Sequence, residues 1–170
     1  MAEDKRISIT VISNSPGSQR RPAPAGSPGP NNNNSFAMPL GYQLDLPGDS
    51  AQEWEVALQS AQIGSDIALV NTSLYVLSDL VVPGVQVGES QVALAKDILG
   101  TSSTPATFDG NATHTVNFTE ISTVHVWKRL NSLSFSTIDV EVRQRDGNTP
   151  LVASQIPSTF TFILRHLSRS

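Results

Sequence analysis

The chain has 170 residues, of which 38% are hydrophobic and 15% are charged, with a net charge of -4 and no cysteine. This length suits one domain with a core of its own. The absence of cysteine excludes disulfides and thiolate metal sites, and the net negative charge argues against a domain that binds nucleic acid electrostatically as a whole. Sparse charge with many Ser, Thr and Asn residues is typical of a surface that neighbouring subunits cover.

Hydrophobic residues alternate with polar residues along most of the chain, which is typical of strands with one buried face. The first predicted strand spans residues 6–12, with Ile7, Ile9 and Val11 on one face. Residues 13–35 then lose all alternation and are rich in Pro, Gly, Ser and Asn, so they predict a long mobile loop. Because one strand cannot form a domain, this loop is expected to lie within the domain, and deletion of Pro16 to Asn34 is expected to spare the fold.

Seven more strands are predicted, at residues 36–46, 53–62, 73–82, 89–98, 113–127, 135–143 and 159–166. Residues 73–82 are apolar on both faces, so that strand is expected to be covered on both sides. A helix over residues 86–99 is the alternative for the fifth strand, and residues 113–127 are either two short strands or one strand with a bulge. The residues predicted to face the core are Trp54, Val56, Leu58, Ile138, Val140, Phe160 and Phe162.

The sequence predicts no catalytic, cofactor-binding or metal-binding residues. His114, His125 and His166 are scattered singly, whereas a cupin-type metal site needs two histidines one residue apart. No Gly-x-Ser-x-Gly motif is present. Glu53 and Glu55 lie two residues apart on a strand and are expected to face solvent, which is not the environment of a glycosidase's paired carboxylates.

Two short basic segments stand out, Arg20-Arg21 in the predicted loop and Arg165-His166 with Arg169 near the C-terminus. They are interpreted as solvated segments, with contact to acidic partners or packaged nucleic acid as the alternative. The chain begins with an acidic segment, Met1 to Arg6, and has no long apolar run. We therefore expect neither a signal peptide nor a membrane span.

The strand series resembles the single-jelly-roll penton (minor capsid) proteins of Polinton-like elements, adintoviruses and adomaviruses. In that family a strand that ends in Leu-Pro precedes a Trp-Glu-Val-Ala/Gly-Leu strand, and further strands follow in a fixed order. The similar segments here are Tyr42–Pro47, Glu53–Leu58, Leu74–Val81, Val87–Leu94, Phe135–Arg143, the turn at Asp146-Gly147 and the last strand from Phe160 to His166. The family's Tyr-Pro-His after the Trp strand is replaced by Ser60-Ala61-Gln62-Ile63.

The resemblance implies an all-β fold, a single eight-stranded antiparallel jelly-roll sandwich over residues 1–170, with residues 13–35 as a mobile loop. It implies a structural virion protein without enzymatic activity or cofactors. Such a subunit forms a homopentamer at the vertices of an icosahedral capsid, contacts the neighbouring major capsid protein and possesses a surface for a fibre or receptor, whereas nucleic acid contact is not expected. The alternatives are a jelly-roll module that binds a glycan or receptor and, less favoured, a cupin-like enzyme.

Overall fold

The computed structural model describes residues 6–23, 25, 31–65, 73–82, 97–103, 114–119, 126–144, 151 and 156–167. Within these residues the secondary structure is almost entirely β. The strands are β1 (Arg6–Ile12), β2 (Gln19–Pro22), β3 (Asn31–Asp45), β4 (Trp54–Ser65), β5 (Ser73–Ser78), β6 (Asp97–Ser103), β7 (His114–Thr119), β8 (Lys128–Arg129), β9 (Ser134–Arg143) and β10 (Thr159–His166). A single 3-10 turn, Ala51–Glu53, precedes β4.

The strands form two antiparallel sheets that pack as a sandwich. The first sheet has the order β1-β10-β4-β7. The two-residue strand β8 also pairs with β4, at Glu55 and Val56, whereas β7 pairs with the later residues Ser60–Ser65 of that strand. The second sheet has the order β2-β3-β9-β5-β6. The last strand therefore lies between the first and the fourth, and most of the neighbours within a sheet are distant in sequence. The fold is an all-β sandwich, as the sequence predicts.

The core lies between the sheets and is formed by the alternate residues of each strand. On β4 these are Trp54, Val56 and Leu58, and on β9 Ile138, Val140 and Val142. The seven predicted core residues are all buried, which confirms the predicted register of β4, β9 and β10. Phe36 and Phe160 contact each other across the core, with ring centroids 6.0 Å apart, and so join β3 of one sheet to β10 of the other.

One end of the sandwich is closed by a buried hydrogen-bonded cluster of Ser13, Asn33, Asn34, Gly64 and Ser158, here called the polar cluster. Two hydrogen bonds join Ser13 and Ser158. Ser13 N donates to Ser158 O at 2.9 Å, and Ser158 N donates to Ser13 Oγ at 2.9 Å. Ser158 Oγ donates to Asn34 Oδ1 at 2.6 Å and accepts from Gly64 N at 3.1 Å. Asn34 Nδ2 donates to Gly64 O at 2.8 Å, and Ser13 Oγ donates to Asn33 Oδ1 at 2.8 Å. The polar cluster thus connects β1, β4 and β10 of one sheet to β3 of the other.

The polar cluster corrects the prediction that residues 13–35 form a loop without secondary structure. Gln19–Pro22 is strand β2 and pairs with β3, which begins at Asn31 and not at residue 36. Asn32, Asn33 and Asn34 are buried, because their amides find hydrogen-bond partners inside the fold. Composition alone predicts that a run of asparagines is exposed to solvent. Burial of these side chains is favourable here because residues distant in sequence, such as Ser158, form hydrogen bonds with their amides.

Several other strand boundaries differ from the predictions. Glu53 lies in the 3-10 turn and β4 extends to Ser65, while β5 ends at Ser78 and a turn follows. Residues 97–103 form a strand where a loop was expected from residue 99, and residues 89–96 lie outside the described part of the chain. Of the described residues in the predicted strand 113–127, His114–Thr119 form strand and residues 126 and 127 do not; β8 follows them, and residues 113 and 120–125 lie outside the described part of the chain. Leu74, Val76 and Leu77 are buried, which confirms that β5 is covered on both faces.

The connections after β1, β4, β6 and β9 all leave from the end of the sandwich that holds the polar cluster. In the first sheet Ser65 pairs with His114, and Ser13 bonds to Ser158. In the second sheet Ser73 pairs with Ser103, and Arg143 pairs with Tyr75 beside it. All four connections therefore start and finish at this end of the sandwich, because the strand ends that flank each of them lie on this side.

We expect Asn34→Ala to lower the free energy of unfolding by about 1–3 kcal/mol, because it leaves Gly64 O buried without its side-chain donor and the Ser158 hydroxyl without its acceptor. Asn31→Ala is the matched control, since Asn31 lies on the same strand and is exposed. Its expected effect is within about 0.5 kcal/mol. Chemical denaturation followed by circular dichroism measures both variants, and equal midpoints for the two would contradict the role given to the polar cluster.

The same contacts revise the expected result of deleting Pro16 to Asn34. That deletion removes β2 and the buried asparagines, so we now expect it to destabilise the domain. Replacing only residues 23–30 by Asn-Gly keeps these contacts, because Pro22 and Asn31 are paired and a two-residue turn suits a hairpin. A higher melting midpoint for the short replacement than for the long deletion is expected.

Candidate interaction surfaces

The first sheet carries a row of charged side chains on its outer face, here called the arginine row. Arg6, Arg165, Glu55 and Arg129 occupy matching positions on β1, β10, β4 and β8. Their neighbours Leu164 and Val56 point into the core, so the pleat directs the charged row outward. Arg165 donates from Nε and Nη2 to Glu55 Oε2 at 3.0 and 2.8 Å. Arg129 Nε lies 3.8 Å from Glu55 Oε1, and Arg129 Nη1 donates to Gln52 O at 2.7 Å.

Trp127 completes this surface. Its ring lies beneath the guanidinium of Arg165, with Cζ 4.0 Å from the ring centroid, in a cation–π contact. Lys128 and Arg129 pair with β4 and so hold the neighbouring Trp127 in place. Next to the row, Ala57 and Ile163 are buried although they alternate with core residues. The outer face of the first sheet is therefore partly covered and its charges are held in fixed positions.

The carboxylates Glu53 and Glu55 do not form the solvent-facing pair that the sequence predicts. Glu55 is only slightly exposed and is engaged by Arg165, while Glu53 belongs to the 3-10 turn and lies 3.9 Å from His166 Nε2. His166 also contacts the edge of Trp54, with ring centroids 5.1 Å apart. Glu55 thus pairs with an arginine, Glu53 lies near a histidine, and the two carboxylates belong to different elements.

The second sheet has a different outer face, which is richer in carboxylates. Arg21 of β2 forms an ion pair with Asp139 of β9 and donates to Ser35 Oγ at 3.0 Å. Arg143 Nε donates to Glu141 Oε1 at 2.9 Å on the same strand. Asp79 Oδ1 accepts from the backbone N–H of Asp139 at 2.9 Å, so three carboxylates and two guanidinium groups share this face.

The pKa of Arg21 is raised above its ordinary value. The hydrogen bond with Asp139 is the largest cause, and the negative charges of Asp139, Glu141 and Asp79 add to it, while partial burial acts in the opposite direction. A raised pKa keeps the Arg21 guanidinium protonated at all pH values below the ordinary arginine range. The basic segment Arg20-Arg21 therefore bonds within the chain, since Arg20 Nη1 also donates to Asn33 Oδ1 at 3.4 Å.

The histidines lie on separate elements in the structure. His114 begins β7 and His166 ends β10, while His125 lies outside the described residues. Among the residues that the structure describes, no group of three or more His, Cys, Asp or Glu side chains is arranged to hold a metal ion. Arg169 also lies outside the described residues, and its neighbour Arg165 is engaged by Glu55 and Trp127.

A groove of about 200 Å³ lies at the end of the sandwich opposite the polar cluster. It is lined by Asp79, Leu80, Asn131, Ser132, Ser134, Phe135 and Thr137. The turn after β5 and the segment before β9 form its walls, and they are joined by hydrogen bonds from Asn131 N to Leu80 O at 2.8 Å and from Val82 N to Arg129 O at 3.1 Å. Since Leu80 and Leu130 are buried in the core, the groove is preformed.

A bulge of β3 adjoins this groove. Pro39 pairs with Thr137 and Leu44 with Phe135, so residues 40–43 stand opposite Ser136 alone. Gly41 has a φ of 80°, which permits the sharp change of direction. Tyr42 follows and is 61% exposed, more than any other large hydrophobic side chain of the described residues. The bulge therefore places Tyr42 at the same end of the sandwich as the groove, although no β3 residue lines the groove.

The groove, the bulge and the position of Trp127 are not predicted by the sequence pattern. Pro39 and Gly41 within the predicted strand are the signal for the bulge, because both residues disrupt a ladder. The groove has no local signal, since its residues come from two segments that are distant in sequence. Trp127 lies outside any strand and is positioned by the pairing of Lys128 with Val56, which alternation alone does not predict.

Comparison of the chain with protein-family models and with curated proteins found no match. In the described part of the chain, no helix is long and apolar enough to cross a membrane.

We expect Arg165→Lys to destabilise the fold by about 1 kcal/mol, because lysine keeps the charge but loses the second donor to Glu55 and the planar contact with Trp127. Arg129→Lys is the matched control, since Arg129 is more exposed and lies farther from Glu55. Its expected effect is below about 0.5 kcal/mol. Urea denaturation of both variants tests the difference, and an equal loss would show that the contact with Trp127 contributes nothing.

Proposed function

We propose that this chain is a structural virion protein: a penton capsid subunit that forms a homopentamer at the vertices of an icosahedral shell. We further infer that its sandwich is a jelly roll of eight main strands, β1, β10, β4 and β7 facing β3, β9, β5 and β6, with β2 and β8 as additions. Jelly rolls of two four-stranded sheets are used by viral capsid and lectin domains and by cupins. The proposal combines this strand order with the resemblance of residues 36–166 to single-jelly-roll penton proteins.

The strand order is the observation that carries the proposal. A jelly roll consists of two Greek keys, which place the last strand beside the first and move the chain repeatedly from one sheet to the other. Here β10 lies between β1 and β4, and β9 lies between β3 and β5. Among the eight main strands in chain order, only β5 and β6 are consecutive and also paired. The common end of the connections after β1, β4, β6 and β9 supports the same assignment.

The two outer faces support a ring of subunits. A closed ring needs heterologous contacts, in which one patch of each subunit meets a different patch of the next. The arginine row of the first sheet holds three arginines and one glutamate, while the outer face of the second sheet holds Asp79, Asp139 and Glu141 beside two arginines. The faces thus differ in charge and present rigid, strand-based surfaces. The proposed partners are other copies of the chain and a neighbouring major capsid protein, in the virion.

Contact with packaged nucleic acid is not part of the proposal. Arg21 and Arg165, one from each basic segment, are engaged by Asp139 and Glu55. An interface with nucleic acid gains affinity from cations that neutralise phosphates, and these two guanidinium groups already neutralise carboxylates.

A module that binds a glycan or receptor is the second candidate, and one observation favours it. Exposed aromatic side chains are typical of ligand-binding surfaces, and Tyr42 on the β3 bulge is 61% exposed. The two functions are compatible in one protein, because a vertex subunit also possesses a surface for a fibre or receptor.

Native mass spectrometry of the purified chain tests the proposal. We expect a species of five 18.2 kDa subunits and, by electron microscopy, rings with five-fold symmetry. Charge reversal of the exposed Arg129 to Glu is expected to shift the population towards monomer, while the nearby Val126→Ala serves as a control for surface truncation without a charge change.

A chain that stays monomeric up to the concentration limit of the measurement contradicts the self-assembling vertex subunit and favours the binding module. A dimer with two-fold symmetry contradicts it as well, because an isologous dimer buries the same patch on both subunits and leaves no second flank for a ring.

A further inference from the structure

Strand β1 forms one edge of the first sheet, and this edge lacks the features that usually protect an edge strand. Among the described strands β1 pairs with β10 alone, in a continuous register of seven residue pairs. Its sequence, Arg-Ile-Ser-Ile-Thr-Val-Ile, contains no Pro or Lys and has one charged residue, at its start. Edge strands are commonly shortened, bulged or interrupted by Pro and Lys, which prevents pairing with another chain. The edge strand β2 of the second sheet is protected in this way, since it has four residues, two of them arginines, and ends in Pro22.

The hydrogen bonds at the end of β1 show which backbone groups face the free edge. Ser13 N donates to Ser158 O, on the β10 side, at 2.9 Å. Ile12 bonds in the opposite direction, because its N–H donates to Met38 Sδ at 3.4 Å and its carbonyl accepts from Ser15 N at 3.1 Å. Backbone groups alternate in direction along an antiparallel strand, so the even-numbered residues of β1 face the free edge.

Ser8 and Thr10 therefore direct their N–H and C=O groups to the free edge. In the part of the chain that the structure describes, none of these four groups has a hydrogen-bond partner. Both residues are exposed. Two donors and two acceptors at the spacing of a strand match the backbone of a second extended segment, as in β-strand addition.

The side chains of β1 define the alternation that an added strand requires. Ile7, Ile9 and Val11 face the core, where Ile9 and Val11 are buried and Ile7 is only partly buried. Ser8 and Thr10 lie on the opposite, outer face. Because neighbouring strands share the pleat, apolar residues of an added strand lie beside the first set and hydroxyl residues lie beside the second.

Arg6 favours a different protein over a second copy of this chain as the source of the added strand. It is exposed at the start of β1, so an acidic residue opposite it forms a cross-strand ion pair. β1 itself has no acidic residue. Two copies of β1 paired with Ser8 opposite Thr10 would place Arg6 opposite Ile12, whose backbone groups are already bonded.

We propose that the free edge of β1 binds an extended segment of another protein as an added antiparallel strand. Four backbone hydrogen bonds join the segment to Ser8 and Thr10. The segment alternates apolar with hydroxyl residues, contains no Pro, and has an acidic residue at its C-terminal end, beside Arg6.

The proposal goes beyond the assembly of a vertex and does not depend on it. Arg6 belongs to the arginine row, so a ring contact over that row and an added strand both reach this residue. The backbone groups of Ser8 and Thr10 lie in the plane of the sheet, and the added strand alone uses them. The test is therefore read at these two residues.

Fluorescence anisotropy tests the proposal with a labelled peptide, Ac-Thr-Val-Thr-Val-Ser-Val-Glu-amide, added to the full chain. In the antiparallel alignment its third and fifth residues face Thr10 and Ser8, and its glutamate faces Arg6. We expect saturable binding, and hydrogen exchange is expected to slow at the Ser8 and Thr10 amides in the complex. Replacement of the glutamate by lysine is expected to weaken binding. The absence of binding up to the solubility limit of the peptide overturns the proposal.

Backbone methylation of the peptide tests the hydrogen bonds without a change in the protein. N-methyl groups on the third and fifth residues remove the donors that face β1, so binding is expected to weaken by about tenfold or more. N-methyl groups on the second and fourth residues face away from β1 and are the matched control. Equal binding of the two methylated peptides contradicts the proposed alignment.

Thr10→Pro tests the same bonds from the side of the protein, with Thr10→Val as the matched control. Both variants lose the contact with Thr161 Oγ1 at 3.1 Å, but only proline lacks the N–H that faces the edge. Pro is tolerated on an edge strand because the ladder to β10 uses the neighbouring residues. We expect Thr10→Pro to weaken peptide binding by about tenfold or more and Thr10→Val by less than about twofold. Equal affinities for two variants that are folded by circular dichroism overturn the assignment of the edge.

The source of the added strand is tested on the chain without peptide. A dimer in which the Ser8 and Thr10 amides are protected, and which Thr10→Pro dissociates, overturns the choice of a different protein as partner. A chain whose amides at these residues exchange rapidly until peptide is added supports it. Native mass spectrometry tests the five-subunit ring separately, so failure of the ring leaves the result at the β1 edge unaffected.

Discussion

The polar cluster at one end of the sandwich is the constraint on which the arrangement of the two sheets depends. Hydrophobic packing brings sheets together without fixing how far one slides along the other, since apolar contacts are non-directional. Hydrogen bonds have narrow geometry, and Asn34 bonds to both Gly64 and Ser158 across the sheets. A shift of one residue in β3 would leave these buried groups without partners, at a cost of about 1–3 kcal/mol each. The polar cluster therefore fixes the alignment of the two sheets, and the hydrophobic side chains of the core pack within that alignment.

The surface of the protein follows from that alignment. Once β9 and β10 are held in register, their alternate residues place Asp139, Glu141 and Arg165 on the outer faces. Each of these charges has a partner on a neighbouring strand or on the same strand, so these side chains are held in defined positions. Side chains that are already positioned lose less conformational entropy on binding, which agrees with the proposal of a subunit that acts through repeated contacts.

The parts of the fold that were predictable are those in which local pattern and tertiary structure agree. Alternation predicted β1, β9 and β10 within one residue and assigned every named core residue correctly. The run Asn31 to Asn34 was mistaken for loop, because its amides are satisfied by Ser13, Gly64 and Ser158, which are distant in sequence. The groove was missed for the same reason, since the turn after β5 meets the start of β9 only in the folded chain. Pro39 and Gly41 interrupt the predicted strand 36–46, but the sequence pattern did not show that residues 40–43 leave the ladder or that Tyr42 is exposed.

The polar cluster and the groove occupy opposite ends of the sandwich. About seven strand residues separate Asn34 from Leu44 once the bulge is discounted, which corresponds to roughly 20 Å along β3. Under the proposal of a vertex ring, the outer faces of the two sheets join subunits and one end of the sandwich faces the interior of the shell. The two ends differ in kind, because the polar cluster is buried and bonded internally whereas Tyr42 at the other end is exposed. The two opposite orientations of the proposed subunit would therefore present different surfaces to the exterior.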